Sequence, residues 1–451
     1  MQRGQVSLGL AMSLVLAGGM LVELTTAAKL SVKPVNKKPS VTIDYWYPWG
    51  GASQTYDLWR ISQFEKVHPN VHFKNTYVPT DDGLNNGKMI AAVEAGDAPT
   101  LGIASGQDAL AYAVAHEGAF KPLNRYLKAD HYNLKDVIPS FLPLMKVGNN
   151  VDLLPETTNV DLLYYNKTLF KKAGLNPNRP PTTIAQLNAD AAKLTVYQGK
   201  AIKQIGFIPW LDGGGLTDQP FLWGWVFGAN FYNPSTHKLN LANPQLVKMF
   251  NWMGTYAKKY GASALDSFSS GFGGAFTPTD GFYSGKVAMV IHGNWYQNAI
   301  RQYAPKLNFG VAPIPYPPGG RKDASTFNTN LYFLPKNGVN PSSDAAAVQY
   351  MIFATSGRIL ASDVNEWMSI PVHKTQQGIK FYKQGKIVNP IFKVVMQVAN
   401  SPNSGTPALT NVATQLGTDL ANIQDSVIYH NANPAPLLKA LQAKLQPQVQ
   451  K

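Results

Sequence analysis

Apolar positions along the first third of the chain alternate between two periods. Val41 to Trp46 reads as a strand. Leu58, Ile61, Phe64 and Val67 then recur at helical spacing over Asp57 to Val67, and Pro69 ends that stripe. Val71, Phe73 and Tyr77 fit an extended segment. Leu84 to Ala95 reads as a helix stopped by Gly96, and Thr100 to Ala104 as a short strand. A helix from Asp108 to about Glu117 follows. This strand–helix alternation predicts a parallel sheet flanked by helices, with ligands bound beyond the carboxyl ends of the strands. Those ends carry Trp46-Tyr47-Pro48-Trp49-Gly50-Gly51 and Ser105-Gly106-Gln107-Asp108.

Further on, Leu162 to Tyr165 predicts a strand. Ile184 to Leu194 predicts a helix capped by Thr182 or Thr183. Ile205 to Trp210 is a strand candidate, followed by the Asp212-Gly213-Gly214-Gly215 loop and an aromatic-rich segment from Pro220 to Phe231. Residues 245–260 form an amphipathic pattern. Residues 261–281, rich in Gly, Ser and Thr, predict a mobile loop. Val287 to Ile291 reads as a buried strand, Val311 to Pro318 as a proline-rich passage and Ser343 to Thr355 as a helix; the C-terminal third reads as helices joined by loops. There is no internal repeat.

The length of 451 residues suits two lobes rather than one core. Arg3 precedes an apolar run from Val6 to Val22, and Thr25-Thr26-Ala27-Ala28 offers a cleavage site. Residues 1–28 are therefore expected to be a signal peptide or, alternatively, an uncleaved anchor, with 29–40 as a basic linker. Either places the protein outside the cytoplasm, in a periplasm or on the outer face of the membrane. The charge of +14, with 40 Lys+Arg against 26 Asp+Glu, raises the question of a nucleic-acid partner. No basic stripe or nucleic-acid motif supports one. Only Lys29, Lys33, Lys37 and Lys38 cluster, in the expected linker. The scarcity of carboxylates fits an acidic exterior, where such groups lose charge. Cysteine is absent, which excludes disulfides, thiolate metal sites and a lipidated cysteine.

No HExxH, GxSxG, Walker or GxGxxG motif is present. Histidines are dispersed, and no metal or cofactor is expected. A glycosidase needs only two carboxylates, so Asp108, Glu156, Asp212 and Glu366 remain a possible pair that spacing cannot align. The informative feature is nine tryptophans, several beside Gly, Pro, Asn or Asp. Sugar rings offer apolar faces and a hydroxyl rim. Their sites combine flat aromatic platforms with Asp, Glu, Asn or Gln. Trp59, Trp225 and Trp252 lie in apolar or helical surroundings and read as core. Trp46, Trp49 and Trp295 stand at strand ends and read as cleft residues. Trp367 lies in a similar polar setting.

Three segments carry a family resemblance. They are Leu163-Tyr164-Tyr165-Asn166-Lys167 with Leu169-Phe170 and Ala173-Gly174-Leu175; Phe282-Tyr283-Ser284-Gly285-Lys286-Val287-Ala288-Met289 leading to Gly293-Asn294-Trp295; and Ala95-Gly96-Asp97-Ala98-Pro99-Thr100. With Val311 to Pro315 they span about residues 41–400. In this the chain resembles the extracellular solute-binding proteins of the sugar-binding type that serve ATP-binding-cassette importers. The resemblance implies an α/β, two-lobed periplasmic-binding-protein fold joined by crossing strands near 155–160, 310–315 and 356–362. One lobe would hold 41–156 and 313–358, the other 157–312 and 359–451. It implies a monomeric, non-enzymatic receptor that closes on a carbohydrate and delivers it to membrane permease subunits. Trp295 would be the central platform. Trp46, Tyr47, Trp49, Gln54, Gln107 and Asp108 would come from one side. Glu156, Asn159, Trp210, Asp212, Asp218, Gln219 and Trp223 would come from the other, with Asn328 and Asn330 from the returning chain. A glycerol phosphodiester or polyamine remains the alternative ligand.

Overall fold

In the computed structural model, residues 39–79, 88–105, 109, 113, 116, 118–211, 218–376, 391–406 and 410–449 are described. Everything below lies within the compact unit Ser40–Lys451. The expected signal peptide, the helix from Asp108 and the loop at Asp212 fall wholly or mostly outside the described residues.

The first third follows its hydrophobic pattern. Strand β1 (Val41–Tyr47) leads into α1 (Gly51–Val67), then β2 (Val71–Tyr77), α2 (Lys88–Ala95) and β3 (Leu101–Ser105). Helix α2 ends where Gly96, at φ +81°, turns its N–H back to the carbonyl of Ala92. Only glycine takes that backbone without strain. β1 pairs in parallel with both β2 and β3.

The expected parallel arrangement stops there. The next long strand, β4 (Leu153–Asn166), begins earlier than Leu162 and is buried along nearly its whole length. Its first half pairs antiparallel with β7 (Phe327–Phe333), which also pairs antiparallel with β3. Its second half pairs antiparallel with β5 (Met289–Gly293) and β6 (Phe309–Ala312). The seven strands form one sheet in the order β5-β4-β7-β3-β1-β2, with β6 also on β4. β4 is thus the strand that both groups share.

The middle of the chain builds helices against the β5–β6 end. Thr183 caps α3 (Ile184–Leu194), its hydroxyl accepting from the N–H of Gln186. The aromatic-rich segment is helix α4 (Asp218–Val226), and the amphipathic pattern is α5 (Pro244–Tyr260). Two expectations change here. Ile205 makes a single bridge to Val287, and no ladder strand runs to Trp210. The segment read as a mobile loop contains α6 (Ala262–Ser269), and its remainder is pinned. Tyr283 and Tyr303 donate to the carbonyls of Ala275 and Phe276 at 2.6 and 2.7 Å. Composition showed the small residues but not these tyrosine anchors. Helix α7 (Tyr296–Tyr303) follows β5. Helices α8 (Asp344–Ala354) and α9 (Gly357–Trp367) follow β7, and α10 (Ile391–Ala399), α11 (Ala413–His430) and α12 (Pro434–Leu445) complete the C-terminal third. Among the described residues no helix is long and apolar enough to cross a membrane.

Candidate functional site

The Gly293-Asn294-Trp295 turn is built to present one side chain. A Cβ on Gly293 would stand 2.2 Å from the indole nitrogen of Trp295, so the glycine makes room for the ring to fold against the backbone. Asn294 is fully buried and uses both ends of its amide. Its oxygen accepts from the N–H of Val160 at 2.7 Å, and its nitrogen donates to Asn159 Oδ1 and to the carbonyl of Met368 at 3.2 and 2.9 Å. The Tyr164 hydroxyl donates to the Gly293 carbonyl at 2.9 Å. The turn is therefore fixed to β4 and to the end of α9. Trp295 stays partly exposed, stacked on Phe276 at 5.0 Å.

A row of polar side chains adjoins it across the β4–β7 ladder. Asn159 and Asn328 are register partners, and Asn159 Nδ2 donates to the Asn328 carbonyl. Asn328 Nδ2 donates to Asp161 Oδ2 at 3.3 Å, and Asn330 Nδ2 to Glu156 Oε2 at 2.9 Å. A bulge in this ladder between Thr329 and Leu331 brings Asn328, Asn330, Glu156, Asn159 and Asp161 onto one face despite their mixed spacing. Asp161, Asn328 and Asn330 keep some exposure.

On the β1 side, Trp46 and Trp49 are half-buried, and Lys88 Nζ lies 5.2 Å over the Trp46 ring. The turn after β1 approaches α7, since a Cβ on Gly51 would stand 3.7 Å from the Tyr303 hydroxyl. That tyrosine holds Phe276, so the turn carrying Trp49 lies near the Trp295 stack. Trp367 is buried and meets the Tyr56 ring edge to face.

Several expected site residues sit elsewhere. Tyr47 is buried between Tyr45 and Tyr77, its hydroxyl accepting from Gln54. Adjacent strand residues face opposite ways, so Tyr47 cannot share a face with Trp46. Trp223 has no exposed surface; it packs edge to face on Trp252 at 4.6 Å and donates to the Pro209 carbonyl. Trp210 and Gln219 are buried too. Glu156 is taken up by the Arg60 guanidinium as well as by Asn330 and Tyr332. Gln107, Asp108, Asp212 and the Asp218 side chain lie outside the described residues. Of the carboxylates weighed as a catalytic pair, Glu366 is exposed beside Arg301 and Glu156 is buried.

Sequence reasoning missed Asp161, Phe276 and the role of Asn294. Asn294 stood within the quoted motif, and a buried amide between a glycine and a tryptophan was its available signal.

One strand shared by two groups, with amides, a carboxylate and an indole gathered along it, defines a receptor for a polar solute. The chain belongs to the bacterial extracellular solute-binding protein family, whose model matches residues 59–386. Its fold is the two-lobed periplasmic-binding-protein fold. The protein CpMnBP1, solved with mannotriose bound, is similar over 90% of this chain and 100% of its own, at 33% identity and a TM-score of 0.80. UgpB from Mycobacterium tuberculosis, solved with glycerophosphocholine, covers 90% of this chain and 98% of its own at a TM-score of 0.71, but at 18% identity the likeness is one of fold. The sn-glycerol-3-phosphate-binding periplasmic protein UgpB of Escherichia coli (strain K12) is 27% identical, over 62% of each chain.

Proposed function

We propose that this protein captures a neutral carbohydrate, as small as a short oligosaccharide, between the β1–α1 turn and the Trp295 turn. It then delivers the sugar unchanged to the membrane subunits of an ATP-binding-cassette importer, working outside the cytoplasmic membrane. The observation that carries this reading is the amide and carboxylate row beside a partly exposed indole. Asn159, Asp161, Asn328 and Asn330 match a rim of hydroxyls, and Trp295, with Trp46 and Trp49 opposite, matches the apolar faces of sugar rings. The likeness to a mannotriose-bound protein along 90% of the chain supports the same class of solute.

The charge pattern weighs against a phosphodiester. The charged groups in this row are the carboxylates Asp161 and Glu156, the cation Arg60 is buried among Asp57, Glu156 and Asp363, and the exposed Lys88 lies over Trp46 rather than in the row. A phosphate there would meet like charge without a free guanidinium.

A thermal-shift series tests the reading. The purified protein is expected to gain melting temperature saturably with mannobiose, mannotriose or maltose, because a ligand bound only by the folded state stabilises it. A rise with sn-glycerol 3-phosphate, glycerophosphocholine or spermidine alone would overturn the sugar assignment.

A further inference from the structure

Four buried ionisable groups meet at the junction of α1, β4 and α9. Arg60 on α1 reaches Asp57 on its own helix and Glu156 on β4, and its Nη1 lies 3.5 Å from Asp363 Oδ2 on α9. All four side chains are at least nine-tenths buried. Three carboxylates thus share one cation in a dry site. Asp57 Oδ2 and Arg60 Nε are buried there without hydrogen-bond partners. A bare carboxylate oxygen in such a place is costly when charged and much less so when protonated.

The junction also touches the binding row from two directions. Glu156 accepts from Asn330 at 2.9 Å. Asp363 Oδ1 accepts from Ser369 at 2.7 Å, and the carbonyl just before that serine, on Met368, receives the Asn294 amide that sets Asn159 and Trp295. Ile370, one residue further, is bonded to Thr158 on β4 through both its N–H and its carbonyl.

We propose that the Arg60 cluster is a proton-operated latch, which holds α1, β4 and α9 together when Asp57 and Asp363 are protonated and loosens this junction when they ionise. The titratable groups facing it are Tyr56 of α1, Tyr45 of β1, Tyr332 of β7 and Tyr350 of α8, besides the four named. None of these tyrosines ionises near neutrality, since burial pushes each hydroxyl up. Asp57 and Asp363 do. Burial raises Asp57 to about 6 against the opposing pull of Arg60, with Glu156 adding to the rise. Burial and then Glu156 raise Asp363 to about 7, again against Arg60.

A carboxyl raised on folding contributes stability that is complete below its unfolded pKa of about 4. That contribution is lost as the pH climbs through 6 for Asp57 and 7 for Asp363. The latch therefore favours acid, in keeping with a surface so poor in carboxylates. His292, which burial lowers to about 3, works the other way below pH 6.5. The test must cancel it.

The experiment compares the wild-type protein with Asp363→Asn, without solute, by thermal melting at pH 5 and pH 8. Asparagine keeps the size and the acceptor for Ser369 and fixes the side chain as neutral. The wild type is expected to lose at least about 3 °C more than Asp363→Asn across this range. Equal losses would overturn the proposal. Should Asp363→Asn fail to fold, Asp57→Asn is read by the same criterion. A second arm titrates mannobiose at both pH values and rests on the carbohydrate reading. Affinity is expected to fall about threefold or more from pH 5 to pH 8 in the wild type and to stay level in Asp363→Asn. No binding of mannobiose at either pH would sink the sugar reading while leaving the melting result to decide the latch.

Discussion

Replacing Arg60 with methionine is expected to cost about 3–5 kcal/mol of stability at pH 8. The aliphatic part of the arginine is preserved in volume, so packing contributes little. The loss comes from leaving Asp57, Glu156 and Asp363 buried with no cation. Charges in that position either repel one another or take up protons, and proton uptake is easier in acid. The deficit should shrink as the pH falls to 5. It should also shrink when Arg60→Met is combined with Glu156→Gln and Asp57→Asn, which remove two of the three stranded charges. Urea unfolding at the two pH values measures both effects. A deficit of the same size in acid, unrelieved by the added substitutions, would mean that Arg60 acts through packing alone.

Trp295→Ala is expected to weaken carbohydrate affinity by about 10- to 100-fold with little loss of folding. The ring is partly exposed, so its removal leaves a partial void, beside Phe276, His292 and Tyr296. The turn that carries it is held by Gly293, Asn294 and Tyr164, which the substitution does not touch. Trp295→Phe should keep part of the affinity, because a smaller flat face remains. Calorimetric titration with mannotriose separates the three proteins. Unchanged affinity in Trp295→Ala would remove the indole from the site.

Helix α1 and strand β2 were legible because each buries one face and so shows its period, whereas β3, buried at four consecutive positions, was legible as a short apolar run. β4 was harder. It is buried on both faces, so its first half, Leu153 to Asp161, lacks alternation and hides among polar residues that prove to be paired across the ladder. At Trp46 and Trp295, where a motif and a strand end coincided, the structure leaves the expected rings partly exposed. The site was misread where local composition stood in for geometry. Trp223 was expected to reach the ligand, yet it lies inside α4 with its ring fully buried. Tyr47 was grouped with Trp46 although strand alternation sends them to opposite faces, the same rule that separates Tyr164 from Tyr165. The Arg60 cluster could not be seen at all. Its members stand at 57, 60, 156 and 363, and only the meeting of α1, β4 and α9 brings them together.

Calorimetric titration of the wild-type protein with mannotriose, followed by chromatography of the recovered sugar, tests the central claim most directly. The account predicts saturable binding of one sugar per chain and recovery of intact mannotriose. Release of shorter sugars would contradict it by making the protein an enzyme. No heat with mannotriose, mannobiose or maltose, alongside saturable binding of glycerophosphocholine, would contradict it by giving the same fold to a different solute.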